Sequence, residues 1–284
     1  MLRPLATLFC SLLPALVAAE QGRLLATGGA SSIDGAAGGG IVPWAVLAGY
    51  GEQGEWGGAA FLTRVETGDY RLDVGGAAFA YDNRVELSFA RQRFDLGTLA
   101  RDLRLPDGSL SQDIFGVKLR LFGDLIYDRL PQLSLGVEHK RQRDFRVPRL
   151  VGAVRDEDTE AYLAASRLIL GGAFGYNLLL NGNLRYSRAN EQGLLGYGGD
   201  RRDRHSVLKE GSVAVLLDPH WVVGVEYREK PDNLSFAGEN DWSDLFVGYF
   251  PNKHLAVVLA YARLGEIASL DHQDGVYLSL QGSF

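Results

Sequence analysis

The chain has 284 residues, with 29 Lys and Arg against 35 Asp and Glu, a formal net charge of −6, and one cysteine. That acidic balance lacks the electrostatic footprint of a nucleic-acid binder. A single cysteine excludes an internal disulfide framework and any thiolate metal cluster.

The N-terminus reads as a secretory signal peptide over residues 1–19, which leaves residues 20–284 as the mature protein. Arg3 supplies the positive n-region, Leu5 to Val17 the apolar stretch, and Val17-Ala18-Ala19 a small-residue cleavage site. Ser11 and Pro14 interrupt the stretch, which is too short to span a bilayer comfortably. Cys10 lies inside it, with Phe9 and Thr7 where a lipoprotein signal would need a small residue and a Leu. Cleavage removes Arg3 and no acid, so the mature chain is slightly more acidic and free of cysteine. Beyond it, no apolar run reaches the roughly 20 residues of a spanning helix.

A weak strand over Arg23 to Gly29 leads into a Gly/Ala/Ser-rich tract. GAAGGG (Gly35 to Gly40) lacks the Lys-Ser/Thr of a P-loop, and the IVPWAVLAGY that follows reads as a strand. Flexible loop or close-packed backbone suits the glycines better than nucleotide binding.

The run GRLLATGGASSIDGAAGGGIVPWAVLAGYG, with RVELSFARQRFDLG (Arg84 to Gly97) further on, resembles an uncharacterised family of Gram-negative outer-membrane proteins, domain of unknown function 3034. The resemblance covers essentially the whole mature chain. It implies an envelope location and a barrel, and it brings no catalytic residues.

The remaining elements alternate with period two, as strands with one apolar and one polar face do. Trp56 to Val65, Tyr70 to Ala80, Arg84 to Gln92, and strands around Val117–Leu121 and Leu133–Val137 come first. Ala161 to Leu170, Phe174 to Tyr186, Ser206 to Leu217, His220 to Arg228, Trp242 to Phe250 and Lys253 to Arg263 follow. Short connections (Asp82-Asn83, Gly171-Gly172, Asp218-Pro219, Pro251-Asn252) alternate with long ones (Phe94 to Ser111, Arg141 to Thr159, Ser187 to His205, Glu229 to Asp241). Pro106-Asp107-Gly108 marks a turn within the first long one. Outer-membrane barrels have short periplasmic turns and longer outer loops. Tyr50, Trp56, Tyr70, Tyr186, Trp221, Tyr249 and Phe250 stand at strand ends, where interfacial girdles belong.

The closing strand, GVYLSLQGSF, sets Val276, Leu278, Leu280 and Phe284 against Tyr277, Ser279, Gln281 and Ser283. A final strand ending on an aromatic resembles the signal by which the barrel-assembly machinery captures outer-membrane proteins. Strand addition at a sheet edge is a physical route for that capture.

The expected fold is therefore an all-β, antiparallel transmembrane β-barrel in the outer membrane of a Gram-negative bacterium. It has about fourteen strands, or twelve if two N-terminal segments fold inward as a plug. A soluble lipocalin-like or sandwich protein would share the alternation but present a polar exterior. On the barrel reading the lumen is lined by Arg71, Asp73, Glu86, Lys118, Arg120, Glu138, Lys140, Arg167, Arg185, Glu226, Arg228 and Asp244. A water-filled passage with those charges would tune ion selectivity. Mixed signs suit a barrel plugged by its own ion pairs equally well.

The expected role is passive, channel-like movement of small solutes, with no cofactor. Outer-membrane lipids and lipopolysaccharide are the expected surroundings. A sealed structural or surface-interaction barrel and a lipid-acting enzyme are the alternatives. None of His139, His205, His220, His254 and His272 falls in a GxSxG or HExxH pattern. His139 has the outward parity a lipid-facing triad would use. Asp156-Glu157-Asp158 offers hard oxygen ligands for a divalent cation, and Arg201, Arg202 and Arg204 could meet lipopolysaccharide phosphates.

Overall fold

A computed structural model describes residues 23–102, 108–236, 238, 240–267, 270 and 272–284. The proposed signal peptide with Cys10, and Pro106-Asp107 of one expected turn, lie outside the described residues.

Twelve antiparallel strands close into a barrel: β1 Trp56–Thr67, β2 Arg71–Tyr81, β3 Val85–Asp95, β4 Ser109–Phe122, β5 Gln132–Gln142 and β6 Glu157–Ala173, then β7 Tyr176–Ser187, β8 Ser206–Leu216, β9 Trp221–Arg228, β10 Trp242–Asn252, β11 Leu255–Arg263 and β12 Asp274–Ser283. Each strand pairs with its sequence neighbours, and β12 pairs with β1 from Gly275↔Thr67 to Ser283↔Ala59. Fourteen strands is corrected to twelve, the count expected if two N-terminal segments fold inward. The two N-terminal segments read as strands, Arg23–Gly29 and Ile41–Tyr50, do not join the wall; Leu24 stays exposed at the mouth, and the chain lies inside the barrel from Ala26 to Tyr50.

Alternation decides which way each side chain points. On β12, Val276, Leu278 and Leu280 face outward, while Tyr277, Ser279 and Gln281 are buried within. The last residue belongs to the seam: Phe284 N–H donates to Gly58 O (3.0 Å), and Phe284 O accepts from Gly58 N (3.1 Å) and Tyr50 N (3.2 Å). Around the exterior, Leu62, Leu87, Leu245 and Leu278 are each half exposed or more, in a continuous apolar band. Monomeric soluble proteins rarely carry an apolar surface larger than a few hundred Å². A lipocalin-like or sandwich protein would have kept this face polar. The band is the hydrocarbon-facing surface of a transmembrane barrel.

At the short-turn end the Trp56 ring packs tilted against Tyr81 (4.8 Å) and Trp221 against Tyr249 (4.5 Å), all exposed. Tyr186 is an exterior aromatic at the opposite end. Tyr50, Tyr70 and Phe250, expected in the girdles, point inward and are buried. The long loops carry two short helices, α1 Gly97–Asp102 and α2 Arg146–Leu150.

Leu280 stands in register with Leu62 on one side and Val257 on the other, within the apolar band, so Leu280→Arg is expected to destabilise the folded protein by about 2–4 kcal/mol in lipid bilayers. Urea unfolding from vesicles measures it. A loss no larger than that of Val276→Arg, nearer the rim, would contradict placement of the band at the bilayer centre.

Candidate functional site

The lumen is occupied by the chain itself. Every residue from Ala26 to Tyr50 is buried. The segment enters at the short-turn mouth, folds back through a small bridge between Ala30–Ser31 and Ala37–Gly38, and returns to the same mouth before β1. Many inward positions of the wall are small (Ala59, Ala78, Ala90, Ala164, Ala214, Ala260), which leaves room for the insert at ordinary packing density.

The wall binds the insert through its backbone. Glu86 accepts hydrogen bonds from Ala37 N (3.2 Å) and Ala48 N (2.7 Å). Beside it Lys118 Nζ donates to Ala37 O (2.8 Å) and Val46 O (2.9 Å), and lies 3.2 Å from Glu86. On the far wall Glu226 accepts from Ile41 N (2.8 Å) and Ser212 Oγ (2.7 Å). Gln132 and Ser134 both donate to Ala45 O at 2.6 Å, and Asn183 donates to Pro43 O at 2.6 Å. An irregular segment in a lumen has few backbone partners of its own, so these side chains satisfy groups that would otherwise be buried unpaired.

Gly39 shows how closely insert and wall meet. A Cβ there would lie 2.0 Å from Glu226 Oε1, a carboxylate already held by Ile41, Ser212 and Trp44. Gly39→Ala is expected to cost about 1–3 kcal/mol through overpacking, read as a lower heat-modification temperature in detergent. An unchanged temperature would mean that the insert adjusts freely.

Above this layer lies a buried ion network. Asp34, the lone acid between Arg23 and Gly51, receives Lys140 Nζ at 3.0 Å, Arg228 Nη1 at 2.6 Å and Arg185 Nη2 at 3.7 Å. Arg185 bonds Glu210 (2.5 Å), Glu138 (2.8 Å) and Glu160 (3.1 Å), and its guanidinium lies 4.8 Å over the Tyr162 ring. Arg228 also reaches Glu210 (3.0 Å) and donates to Ile41 O (2.8 Å). Burial alone would push the Asp34 carboxyl up, but Arg228, Lys140 and Arg185 outweigh it and hold it well below the usual carboxylate range.

The long-loop mouth is covered as well. Residues Ala189 to Gly199 are buried, with Glu191 and Gln192 at positive φ. Gln142 donates to Leu194 O (2.5 Å), Tyr197 OH to Gln112 (2.6 Å), and Lys230 Nζ to Glu191 (3.0 Å). Between this cap and the insert is an apolar void of about 30 Å³ beside Ile33, Ile41, Leu194 and Tyr277. A second of about 30 Å³ lies by Trp44, Leu168 and Phe246.

Of the expected lumen residues, Glu86, Lys118, Glu138, Lys140, Arg185, Glu226, Arg228 and Asp244 do face inward and are buried. Asp244 stands opposite Glu226, with neither oxygen hydrogen-bonded among the described residues. Arg120 keeps inward parity at the short-turn rim, donating to Gly123 O (2.6 Å) and Asp124 (3.1 Å). Arg71, Asp73 and Arg167 face outward, which corrects the expectation. Their apolar neighbours Leu72, Val74 and Leu168 turn in, because the insert gives the lumen an apolar interior to pack against. Arg71 and Asp73 form rim ion pairs with Asp95 (3.1 Å) and Arg64 (2.6 Å), and Arg167 donates to Arg129 O. Asp34, Glu160 and Glu210 join the expected residues in this network. Glu210 shares the inward parity of Leu208 and Ser212, and Asp34 is an isolated acid in a Gly/Ala/Ser tract.

The other candidates disperse. His139 is exposed, 3.1 Å from Thr159 Oγ1, with no carboxylate in ion-pair contact among the described residues. His220 and His254 bind the carbonyls of Phe250 and Ser283, and His205 sits 3.0 Å from Asp158. Asp158 is taken by Arg188 (2.7 Å) and Glu157 lies near Arg141 (3.6 Å), so the acidic run does not converge. No cluster of three potential metal ligands occurs among the described residues. Arg201 pairs with Asp232 (2.5 Å), and with Arg202 and Arg204 it lines an open cleft.

A family model described as "Protein of unknown function (DUF3034)" matches residues 27–281. The chain belongs to the DUF3034 family. No curated protein matches it in sequence. Among solved structures, the KdgM porin is similar at TM-score 0.51 and 9% identity, over 80% of this chain and 99% of the other. The NanC porin follows at TM-score 0.47 and 10% identity, over 80% and 98%. LpxR from Salmonella typhimurium gives TM-score 0.47 and 13% identity, over 80% and 99%. At these identities the likeness is one of barrel architecture, and function must be argued from this lumen.

Proposed function

We propose that this DUF3034 protein is a sealed outer-membrane barrel of a Gram-negative bacterium, exported by its signal peptide, and not an open porin. One observation carries the reading: the segment Ala26–Tyr50 fills the lumen and is bonded to facing walls by Glu86, Lys118, Gln132, Asn183 and Glu226. Its role then falls to the exterior and the loops, as a structural or surface-interaction barrel without a catalytic step. The seam built by Phe284 suits capture of β12 by the assembly machinery, which would release it once β1 is paired.

A second reading, a gated channel for small solutes, is favoured by the path of the insert. Both of its ends leave through the short-turn mouth, so withdrawal would need no threading. Planar-bilayer recording of the refolded mature chain separates the readings. The sealed barrel stays silent under voltage. Steady openings of the intact protein would overturn the sealed reading, and openings abolished by an Ala45→Cys, Ser166→Cys disulfide would establish the gate. Ala45 N donates to Ser166 Oγ at 2.8 Å, so insert and wall meet at that point.

A further inference from the structure

On the outer wall, toward the long-loop mouth, neighbouring strands β3, β4 and β5 bring four arginines together. Asp113 of β4 is in register with Arg91 of β3 and Arg141 of β5. Arg91 grips its carboxylate with Nε (2.6 Å) and Nη2 (3.0 Å), and Arg143 adds Nε at 2.8 Å. Arg93 projects from the same face two residues beyond Arg91 and makes no ion pair among the described residues. The Asp113 side chain is 5% exposed, whereas those of Arg91, Arg141 and Arg143 are 60%, 54% and 48% exposed. The buried carboxylate thus orients two guanidiniums whose free edges face the surroundings. Arg141 approaches Glu157 at 3.6 Å, and Asp73 of β2, in register with Arg93, is taken by Arg64 and Arg71, so the patch remains positive.

Immediately toward the middle of the barrel, Phe89 and Phe115 are paired across the same strands, exposed, with ring centroids 5.0 Å apart. Leu87, Val117 and Val137 continue that surface. The arrangement is amphipathic in one direction: guanidiniums at the rim, aromatic rings below, aliphatics below those. Arginines cannot sit in hydrocarbon without partners, so this level of the wall belongs among headgroups. Guanidinium forks match phosphate oxygens in geometry and charge, and a ready-oriented pair loses little entropy on binding.

We infer that this patch binds the phosphorylated headgroup of an outer-leaflet glycolipid, lipopolysaccharide, with its acyl chains laid over Phe89 and Phe115. The inference rests on the membrane reading above, the long loops marking the outer side. Arg91 and Arg143 act as the fixed clamp, and Arg93 and Arg141 supply the mobile charges.

Native mass spectrometry of the full mature chain in neutral detergent tests it, with bisphosphorylated lipid A and its dephosphorylated form as probes. The wild type is expected to retain the bisphosphorylated lipid at least about tenfold better, a difference of about 1.4 kcal/mol. Arg93→Glu with Arg141→Glu leaves the Asp113 clamp intact and should abolish the preference. If that pair fails to give a heat-modifiable barrel, Arg93→Gln with Arg141→Gln replaces it. Equal retention of both lipids by the wild type, or an unchanged preference in the folded variant, would overturn the site. Displacement of the lipid by millimolar inorganic phosphate would mark a free-anion site and overturn the lipid assignment. Insertion into vesicles is scored on the same preparation: failure there defeats the membrane reading, whereas intact insertion without lipid preference defeats this inference alone.

Discussion

Excising Ala26 to Tyr50 and joining Leu25 to Gly51 is expected to convert a silent barrel into a conducting one. The wall does not need the insert to close, because β12 already pairs with β1 along its length. Without it, Glu86, Lys118, Glu138, Lys140, Arg185, Glu226 and Arg228 face a space that only water can fill. Charged groups that were costly to bury become the solvated lining of a pore. The cap over the long-loop mouth remains, held by Gln112, Gln142 and Lys230, so the first openings should be small. Replacing Ala189–Gly199 with a short linker in the same variant should enlarge them. Planar-bilayer conductance is the measurement, on protein first shown to be heat-modifiable. Silence from a folded barrel lacking both segments would mean that the lumen is closed by something other than the insert and cap.

Asp34→Ala is expected to have the largest effect on stability of any single change proposed. It removes the acid shared by Lys140, Arg185 and Arg228, each buried and held by the network. Truncating one partner of a buried ion cluster costs about 3–5 kcal/mol, since Lys140 and Arg228 each lose a close buried acceptor and keep only their contacts to Glu138, Glu160 and Glu210. Asp34→Asn keeps an acceptor for Lys140 and should lose less. Urea unfolding of the refolded protein measures both. The pH dependence has a definite sign. The Asp34 carboxyl is held below its unfolded value, near 3.9. Its contribution is therefore fully present above about pH 4 and is lost only as pH falls through the folded pKa. Between pH 5 and 8 the Asp34 lock should not weaken, and the alanine variant should show a shallower loss of stability in acid. A variant as stable as wild type at pH 7 would show that the insert is held by packing alone.

Local physics made most of the wall legible. Period-two alternation identifies a strand without knowledge of its partner, so the barrel strands from Trp56 onward were readable one by one. The lipid-facing identities of Val276, Leu278 and Leu280, and the inward charges Glu86, Lys118, Glu138, Lys140, Arg185, Glu226 and Arg228, follow from the same rule. The DUF3034 resemblance was legible too, because it rests on runs of sequence rather than on pairing.

Arg71, Asp73 and Arg167 show where the rule fails. It assigns apolar side chains to lipid and charged ones to the lumen, which holds only if the lumen is wet. Here Leu72, Val74 and Leu168 found a second apolar environment inside, on the insert, and the charges on those strands went out to the rims. The same ambiguity attends Ile41 to Tyr50, whose apolar run suits a membrane strand and a buried insert alike. Strand count, and with it open or closed, depended on whether that segment found an edge to pair with.

By itself the sequence determined a transmembrane-type barrel with an acidic net charge, alternating walls and a closing strand, because each of these is a property of composition or of residues two apart. Only the tertiary structure decided that the barrel has twelve strands, that Asp34 locks three cations together, and that four arginines from β3 and the end of β5 meet around Asp113 of β4. Those outcomes depend on register and closure, which join residues far apart in the chain through contacts that no local pattern records.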